Sequence, residues 1–403
     1  MASTINTNIA SLNAQRNLGL SAGSLAVSMQ RLSSGLRVNS AKDDAAGLAI
    51  SERMNTQVRG LTVASRNAND GISLAQTAEG ALGKVGDMLQ RMRELAVQAG
   101  NATNSKSDRE ALQAEVNQLR DEIDRVAKQS SFNGTRILDG TFSGAVFQIG
   151  ANSGDTITVG ALTDTTAKGL ASIAFGTSSI TSIGASNITG LNATTSSLQI
   201  TVDGVTTDLG TLAKAHSASE RLGQVIEAIN RKSVDTGITA FLSGDAVKGF
   251  SVDFRSSKVD ASGNAITSAD IVFSGFAVTT TGFADASVIV AAATGPAVTG
   301  IDTINISTQA EAWVALRKID NAIDQVNSAR ASLGALQSRF ESSVSNIDIM
   351  VENLAASRGR IIDADFAKET ANLSRTQILQ QAGTAMVAQA NQLPQQVLQL
   401  LQR

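Results

Sequence analysis

The stretch LGKVGDMLQRMRELA, residues 82–96, decides the fold. Its apolar residues recur at intervals of three and four, which places them on one face of a helix. The same spacing continues through residues 112–126 and, near the other end of the chain, through residues 316–354. A seam this long requires a partner helix. An ordinary buried bundle would show a similar pattern, but the length of the seam and its recurrence at both ends favour a coiled-coil rod.

The predicted fold class is therefore mainly α, with a long coiled-coil rod formed by pairing of the N- and C-terminal regions. The segment AGNATNSKS, residues 99–107, is predicted to turn the chain between two antiparallel helices, with Asp108 as the N-cap of the second. The residues predicted to form the rod seam are Leu82, Val85, Leu89, Met92, Leu112, Val116, Leu119, Ile123, Ile323, Val326, Leu333, Leu336 and Phe340.

The two extremities of the chain are almost free of charge. Residues 1–41 and 371–403 contain no Asp, Glu or Lys, and only a few Arg, among Ser, Asn, Gln and Ala. Burying an amide or hydroxyl requires only a hydrogen bond, whereas burying a charge is expensive, so these helices are predicted to have protein on most sides. Disordered Gln- and Ser-rich tails are the alternative. The predicted assembly interface consists of Ile5, Ile9, Leu12, Leu25, Met29, Leu32, Leu36, Leu379, Met386, Leu393, Val397 and Leu400.

Alternating apolar residues appear between the two helical regions. VFQIG (146–150) and DTITVG (155–160) predict a β-hairpin beside the rod. Further strands are predicted at 197–204, 237–244, 249–257 and 284–293, and an amphipathic helix at about 218–231. We therefore expect an exposed α+β domain in the centre of the chain. Pro394 is expected to break or kink the last helix.

Composition excludes several classes of function. The chain of 403 residues has no Cys and one His, His216, which removes thiol chemistry and leaves no basis for a His-based triad or a multi-His metal site. Phosphate-binding loops and zinc-protease motifs are absent, so we expect no enzyme and no cofactor. A net charge of −3 gives no basic field for nucleic acid or an acidic membrane. The N-terminus lacks a secretory signal pattern, which taken alone would predict a cytosolic protein.

Several segments carry a family resemblance. At the N-terminal end they are MASTINTNIASLNAQRNL, RLSSGLRVNSAKDDAAGLAISERM, LQRMRELAVQAGNATNSKSDREALQAEVNQL and SFNGTRILDG, and at the other end NLSRTQILQQAGTAMVAQANQLPQQVLQLLQR. With these segments, which cover over half of it, the chain resembles bacterial flagellin. Residues 197–257 are similar to a small α+β motif that recurs in flagellins and hook-associated proteins.

The resemblance implies an architecture of three layers. Residues 1–41 and 363–403 would form the inner tube of a hollow filament, 42–160 and 300–362 the rod layer with its hairpin, and 161–299 the exposed outer domain. The implied partners are many identical subunits, the filament cap and hook-associated proteins, and an export chaperone on the C-terminal region. Flagellins leave the cell uncleaved through their own export channel, so the resemblance implies a secreted protein of the extracellular filament.

The resemblance also implies recognition by Toll-like receptor 5 of a host, and the matching contact residues are Gln90, Arg91, Leu95 and Glu115. Two alternatives stay open at this point. A hook–filament junction protein shares these chain ends but joins or caps instead of repeating. A flagellin with an enzyme in its outer domain belongs to a different class, and the missing zinc motif counts against it.

Overall fold

A computed structural model describes residues 7–245, 248–260, 262–294 and 299–401, with side chains up to residue 392 in the last helix. The protein is mostly helical with a smaller β-containing part, which confirms the predicted fold class. Contacts divide the chain into two compact units. The first comprises the chain up to Asp70, Phe147–Ile157 and the chain from Arg339 onward; the second comprises Gly71–Val146 and Thr158–Ser338. This division differs from the three layers expected above, which stay a prediction.

The helices and the strands are numbered separately, each in chain order. The helices are α1 (Ile9–Ser34), α2 (Ala45–Ala99), α3 (Lys106–Gln129), α4 (Ala218–Arg231), α5 (Ser233–Thr236), α6 (Val278–Thr281), α7 (Gln309–Ile362) and α8 (Phe366–Leu401). The strands are β1 (Ser131–Phe132), β2 (Thr135–Arg136), β3 (Ala145–Gln148), β4 (Thr156–Val159), β5 (Gly176–Ile183), β6 (Leu198–Val202), β7 (Val205–Gly210), β8 (Ile238–Asp245), β9 (Gly249–Ser256), β10 (Ile271–Ser274) and β11 (Ala291–Ala292). Strands β3 and β4 pair as the predicted hairpin.

In the second unit, α2 and α7 run antiparallel. Gln337 Nε2 donates a hydrogen bond to Glu79 Oε2 at 2.8 Å, and Arg93 Nε donates to Asp320 Oδ1 at 2.6 Å. Residue numbers therefore fall along α7 as they rise along α2. Both hydrogen bonds join side chains at the edge of the seam. The apolar residues between these two pairs form the buried contact between α2 and α7.

Helix α3 returns along the rod after a short turn. Its N-cap is Ser105, whose hydroxyl accepts from the Asp108 backbone N–H at 3.2 Å. The Asp108 carboxylate in turn accepts from the Ser105 backbone N–H at 2.9 Å. The prediction of Asp108 as the cap was wrong by three residues, because the two side chains form a reciprocal capping box with Asp108 in its third helical position.

The central domain, also in the second unit, contains two antiparallel sheets, with strand orders β10-β6-β7 and β11-β5-β9-β8. Four phenylalanines meet in its core beside the apolar face of α4, which begins and ends where predicted. They are Phe254, Phe273, Phe276 and Phe283.

One predicted strand of this domain was largely wrong. Residues 284–293 contain a 3₁₀ turn, Asp285–Ser287, and only the two-residue strand β11. Val288 and Val290 are buried and Ile289 is exposed, so the alternation is real. The segment nevertheless bonds to a loop, since Val290 O accepts from the Ser268 backbone N–H at 2.6 Å. Alternation reports which side chains enter the core, and not whether a neighbouring strand is present.

In the first unit, α1 packs against α8. Within the same unit, Leu61 and Ala64 of α2 pack on Ile347 of α7. The hairpin residue Phe147 meets Phe340 edge to face, with ring centroids 5.5 Å apart. These contacts join the hairpin to the rod by apolar packing and aromatic geometry.

Candidate assembly interface

The contact between α1 and α8 combines a few half-buried apolar residues with small and polar ones. Along each helix the less exposed positions recur at alternating steps of three and four, so the two helices meet along a heptad seam. On α1 these positions are Ser11, Ala14, Leu18, Ser21, Leu25, Ser28 and Leu32. On α8 they are Glu369, Leu373, Thr376, Gln380, Gly383, Val387 and Ala390. The seam of α8 could not be predicted from apolar periodicity, because it contains few apolar residues.

A glycine lies where α8 contacts Leu18 of α1. A Cβ placed on Gly383 would lie 3.0 Å from Leu18 Cδ1, closer than ordinary van der Waals contact. Gly383 therefore provides the hole that receives Leu18, as in other closely packed helix pairs. A larger residue at this position would require the Leu18 side chain to move.

Asn8 connects the start of α1 to the distal part of α8. Its Oδ1 accepts from the Ser11 backbone N–H at 3.1 Å, which caps α1, and its Nδ2 donates to Ala390 O at 2.8 Å. In an α-helix the carbonyl of Ala390 would accept from the N–H of residue 394. That residue is Pro394, which has no N–H, so Asn8 supplies the missing donor.

The break expected at Pro394 is wrong, whereas the alternative of a kink stays a prediction. Helix α8 continues as helical backbone to Leu401. The cost of an internal proline is partly the loss of one hydrogen bond, and here the amide of Asn8 replaces that bond from the partner helix.

The predicted assembly residues divide into two groups. Leu25, Leu32 and Leu36 are half-buried, and the first two lie in the α1–α8 seam. The others described, Ile9, Leu12, Met29, Leu379 and Met386, are at least half exposed, with Ile9 at 68% and Met386 at 60%. Ile5 and the side chains of Leu393, Val397 and Leu400 lie outside the described residues.

This pair of helices has almost no apolar core of its own. In α1 the fully buried residues are Ser11 and Ser28, and no large apolar side chain is among them. Helix stability in proteins comes mostly from packing of an apolar face, yet the pair leaves much of its apolar surface exposed.

The chain passes from this pair to the rod through two linkers that bind each other. Arg37 N donates to Ile362 O at 2.7 Å, Ala364 N donates to Gly35 O at 2.9 Å, and Leu36 forms an antiparallel bridge with Asp363. The Arg37 guanidinium also donates to the carbonyl of Ile361, where a positive charge suits the end of a helix. These hydrogen bonds hold the two linkers together.

The rod-seam residues predicted from sequence lie where the helices meet. Leu82, Val85, Leu89, Met92, Val116, Ile123, Val326, Leu333 and Phe340 are buried, and Leu112, Leu119, Ile323 and Leu336 are half-buried. Burial of nine of these side chains stabilises the rod through the hydrophobic effect.

The predicted receptor residues do not all lie on the surface. Gln90, Arg91 and Glu115 are exposed, and Arg91 Nη2 lies 2.8 Å from Glu115 Oε1. Hydrogen bonds to Glu94 and Glu115 raise the pKa of Arg91 above its usual value. Leu95 is only 1% exposed, so its prediction as a direct contact is wrong for the folded rod.

Among the described residues, no helix is long and apolar enough to cross a membrane. Within the same part of the chain, no group of three His, Asp or Glu residues is placed to hold a metal ion.

Paired chain ends with an exposed apolar surface, joined to helices that pack as a rod, define a helical structural protein. The model of the bacterial flagellin N-terminal helical region matches residues 5–143, and that of the C-terminal helical region matches residues 316–401. The chain belongs to the bacterial flagellin family. Proteins of this family are structural subunits of the flagellum, not enzymes, and are exported to the extracellular filament.

Individual relatives agree. Flagellin D of Vibrio cholerae is 41% identical over 404 residues, and the B-type flagellin of Pseudomonas aeruginosa is 38% identical over 492 residues; both alignments cover all of both chains. Among solved structures, FliC from Burkholderia pseudomallei is 26% identical, with a TM-score of 0.39, over 67% of this chain and 99% of that one. Hook-associated protein 3 from Legionella pneumophila is 16% identical, with a TM-score of 0.41, over 77% of this chain and 98% of that one. The family implies a polymer of identical subunits together with hook-associated proteins.

Proposed function

We propose that this chain is the repeating subunit of the flagellar filament, and that α1 and α8 complete their folding only against other copies. The observation that carries the proposal is the composition of the α1–α8 pair, whose described large apolar residues are half or more exposed at Ile9, Leu12, Met29, Leu379 and Met386. Swimming motility follows from the polymer, since a packed helical rod transmits torque.

The energetic argument concerns burial and order. Fully burying one Leu, Ile or Met side chain stabilises by roughly 1.5–3 kcal/mol. Ordering a residue costs about 1–2 kcal/mol in backbone entropy, so a helix pair whose large apolar seam residues are only half-buried is marginal alone. Contact with neighbouring copies adds the missing burial, and the near-absence of charge lets the ends pack without repulsion.

A charge placed on the exposed apolar stripe tests the proposal. We expect Met386→Glu to abolish elongation from filament seeds, because each added subunit would bury an unpaired carboxylate. Met386→Leu should elongate normally. Gln118→Glu adds the same charge on an exposed position of α3 and serves as the matched control. Elongation by Met386→Glu at the rate of the control would refute the proposed interface.

The junction-protein alternative makes a different prediction about length. A repeating subunit grows from seeds into filaments of micrometre length at a rate proportional to its concentration, whereas a junction protein adds a limited number of subunits and stops. Electron micrographs of purified protein at increasing concentration separate the two. Growth that stops after a short collar would favour the junction protein.

Two further partners belong to the monomer in this proposal. An export chaperone would cover the stripe of α8 that contains Ile378, Leu379 and Met386, which is exposed before assembly. Replacing Leu379 and Met386 by Ser should weaken co-purification with the chaperone and leave the rod folded. Toll-like receptor 5 would bind the exposed face of α2 and α3 at Gln90, Arg91 and Glu115.

A further inference from the structure

Methionine supplies all the sulfur of this chain, which has seven Met and no Cys. Exposure divides the Met residues that the structure describes. Met29 of α1, Met350 of α7 and Met386 of α8 are 56%, 51% and 60% exposed. The other described ones are half-buried or, like Met92, fully buried. Because oxidation of a thioether depends on access to its sulfur, the first three are the sites that an oxidant reaches.

Two of these three lie on the helix pair of α1 and α8. Met386 follows Leu379 by two helical turns, so both belong to one exposed apolar stripe of α8. Met29 borders a shallow hollow of about 320 Å³ between the helices, which is lined by Met29, Leu32, Ser33, Leu373 and Gln377. Met29 and Met386 therefore present their sulfurs on the surface through which the chain is proposed to join other copies.

Access to these two sulfurs does not depend on how far the chain ends fold in the monomer. In the paired helices both side chains are more than half exposed, and unpaired ends would expose them further. In the filament of the proposed function, the same side chains are covered by neighbouring copies. The monomer is thus the form in which both sulfurs meet an oxidant.

Hydrogen peroxide converts such a thioether to a sulfoxide. The sulfur lone pair attacks one peroxide oxygen, the O–O bond breaks as the S–O bond forms, and the second oxygen leaves as water. Sulfur loses two electrons and the peroxide gains them. The product is a polar side chain of similar length. Burying its oxygen without a hydrogen-bond donor is unfavourable, so the modified stripe opposes the contact that the thioether favours.

We propose that Met29 and Met386 are an oxidation site, and that their sulfoxides prevent a monomer from joining the filament. The proposal rests on the proposed function, since it requires the exposed apolar surface of α1 and α8 to be buried between copies. Methionine sulfoxide is reversible by enzymatic reduction, so the block is one that a reductase lifts.

The test is seeded elongation of full-length monomer that has been treated with hydrogen peroxide and then freed of it. Peptide mass spectrometry locates the sulfoxides, and the protein left in the supernatant gives the critical concentration. We expect sulfoxides at Met29 and Met386, an unmodified Met92, and a critical concentration higher by about tenfold or more, as for burial of an unsatisfied polar group. Monomer with both sulfoxides that elongates as untreated monomer does would overturn the proposal.

Leucine variants identify the sensitive sulfurs. Met29→Leu combined with Met386→Leu keeps both positions apolar but leaves no sulfur on the helix pair. After peroxide treatment this double variant should keep its untreated critical concentration. Met350→Leu removes an exposed Met of α7 instead, and this matched control should stay as sensitive as the wild type. Equal loss by the double variant and the wild type would place the sensitive sulfur elsewhere and refute the assignment.

Repair of the oxidised wild type needs no variant. Methionine sulfoxide reductases of both stereospecificities, with dithiothreitol as the reductant, should return the sulfoxides to thioethers and restore elongation. Repair without recovered elongation would overturn the proposal even if the double variant did not polymerise. Met386→Glu separates this failure from a failure of the proposed function. If that variant does not elongate while the sulfoxides do, the interface stands and the oxidation proposal alone is wrong.

Discussion

The hydrogen bond from Asn8 to Ala390 predicts a dependence on Pro394 that can be measured. Asn8→Asp keeps an oxygen to cap α1 but removes the Nδ2 donor, so the carbonyl of Ala390 loses its partner. An unsatisfied buried carbonyl costs about 1–3 kcal/mol. If the paired helices form as subunits add, a loss of about 1.4 kcal/mol raises the critical concentration for elongation about tenfold.

A second background separates this bond from other effects of the substitution. In Pro394→Ala, residue 394 regains an N–H that donates to Ala390 O within α8, so that carbonyl no longer depends on Asn8. We expect Asn8→Asp to raise the critical concentration by much less in that background, which corresponds to a coupling free energy of about 1 kcal/mol.

The assay is seeded elongation, with critical concentrations from the protein left in the supernatant. The four chains of the cycle are the wild type, the two single variants and the double variant. Any general effect of a new charge at position 8 appears in both backgrounds and cancels. Equal effects of Asn8→Asp in the presence and absence of Pro394 would refute the account of how α8 passes its proline.

The remaining predictions concern the ends, the rod and its surface. Truncation of residues 1–36 or 371–403 should leave a soluble rod that does not polymerise, checked by sedimentation and electron microscopy; normal filaments from either truncation would contradict coupled folding. Limited trypsin treatment of the monomer should cleave first at Arg16, Arg31 and Arg375, identified by mass spectrometry, and equal cleavage along the rod would count against marginal ends. Ser105→Ala should destabilise the start of α3 by about 1 kcal/mol in chemical unfolding, with Ser107→Ala as the control. Hydrogen bonds from Ser105 lower the pKa of Asp108 in the folded protein. The stability that the Asp108 carboxylate contributes is therefore present above its unfolded pKa and is lost as the pH falls through its folded pKa. The unfolding midpoint of Asp108→Asn should vary less with pH between about 5 and 3 than that of the wild type. Arg91→Ala should reduce receptor activation by the monomer without loss of helicity, and undiminished activation in a reporter assay would refute the proposed contact surface.

The rod could be predicted from the sequence because its apolar residues keep one period over a long distance. Leu82, Val85 and Leu89 are buried because their spacing places them on one face of the helix. The range of α4 could also be predicted from its apolar spacing, because the helix is strongly amphipathic. In the structure, Ser217 caps its start.

The seam of α8 could not be predicted in this way. Thr376 and Gly383 give no apolar signal, although Gly383 leaves the space that Leu18 of α1 occupies. The sequence did contain one usable clue. A proline within a long helical pattern leaves one backbone carbonyl without its donor in the helix. Which residue replaces that donor depends on tertiary contacts, and Asn8 lies more than 380 residues away in the chain.

The burial of Leu95 could not be predicted from its motif. Its match to a family motif indicated a receptor contact, whereas the structure has it buried. A motif match does not report exposure, which the packing of the helix decides.

The most direct test of the central claim is hydrogen–deuterium exchange of residues 9–34 and 366–392, measured in the monomer and in the filament, with the buried rod residues 82–96 as the internal reference. The account predicts fast exchange of the two terminal segments in the monomer, strong protection of both in the filament, and little change in the reference. Terminal segments as well protected in the monomer as in the filament would contradict it.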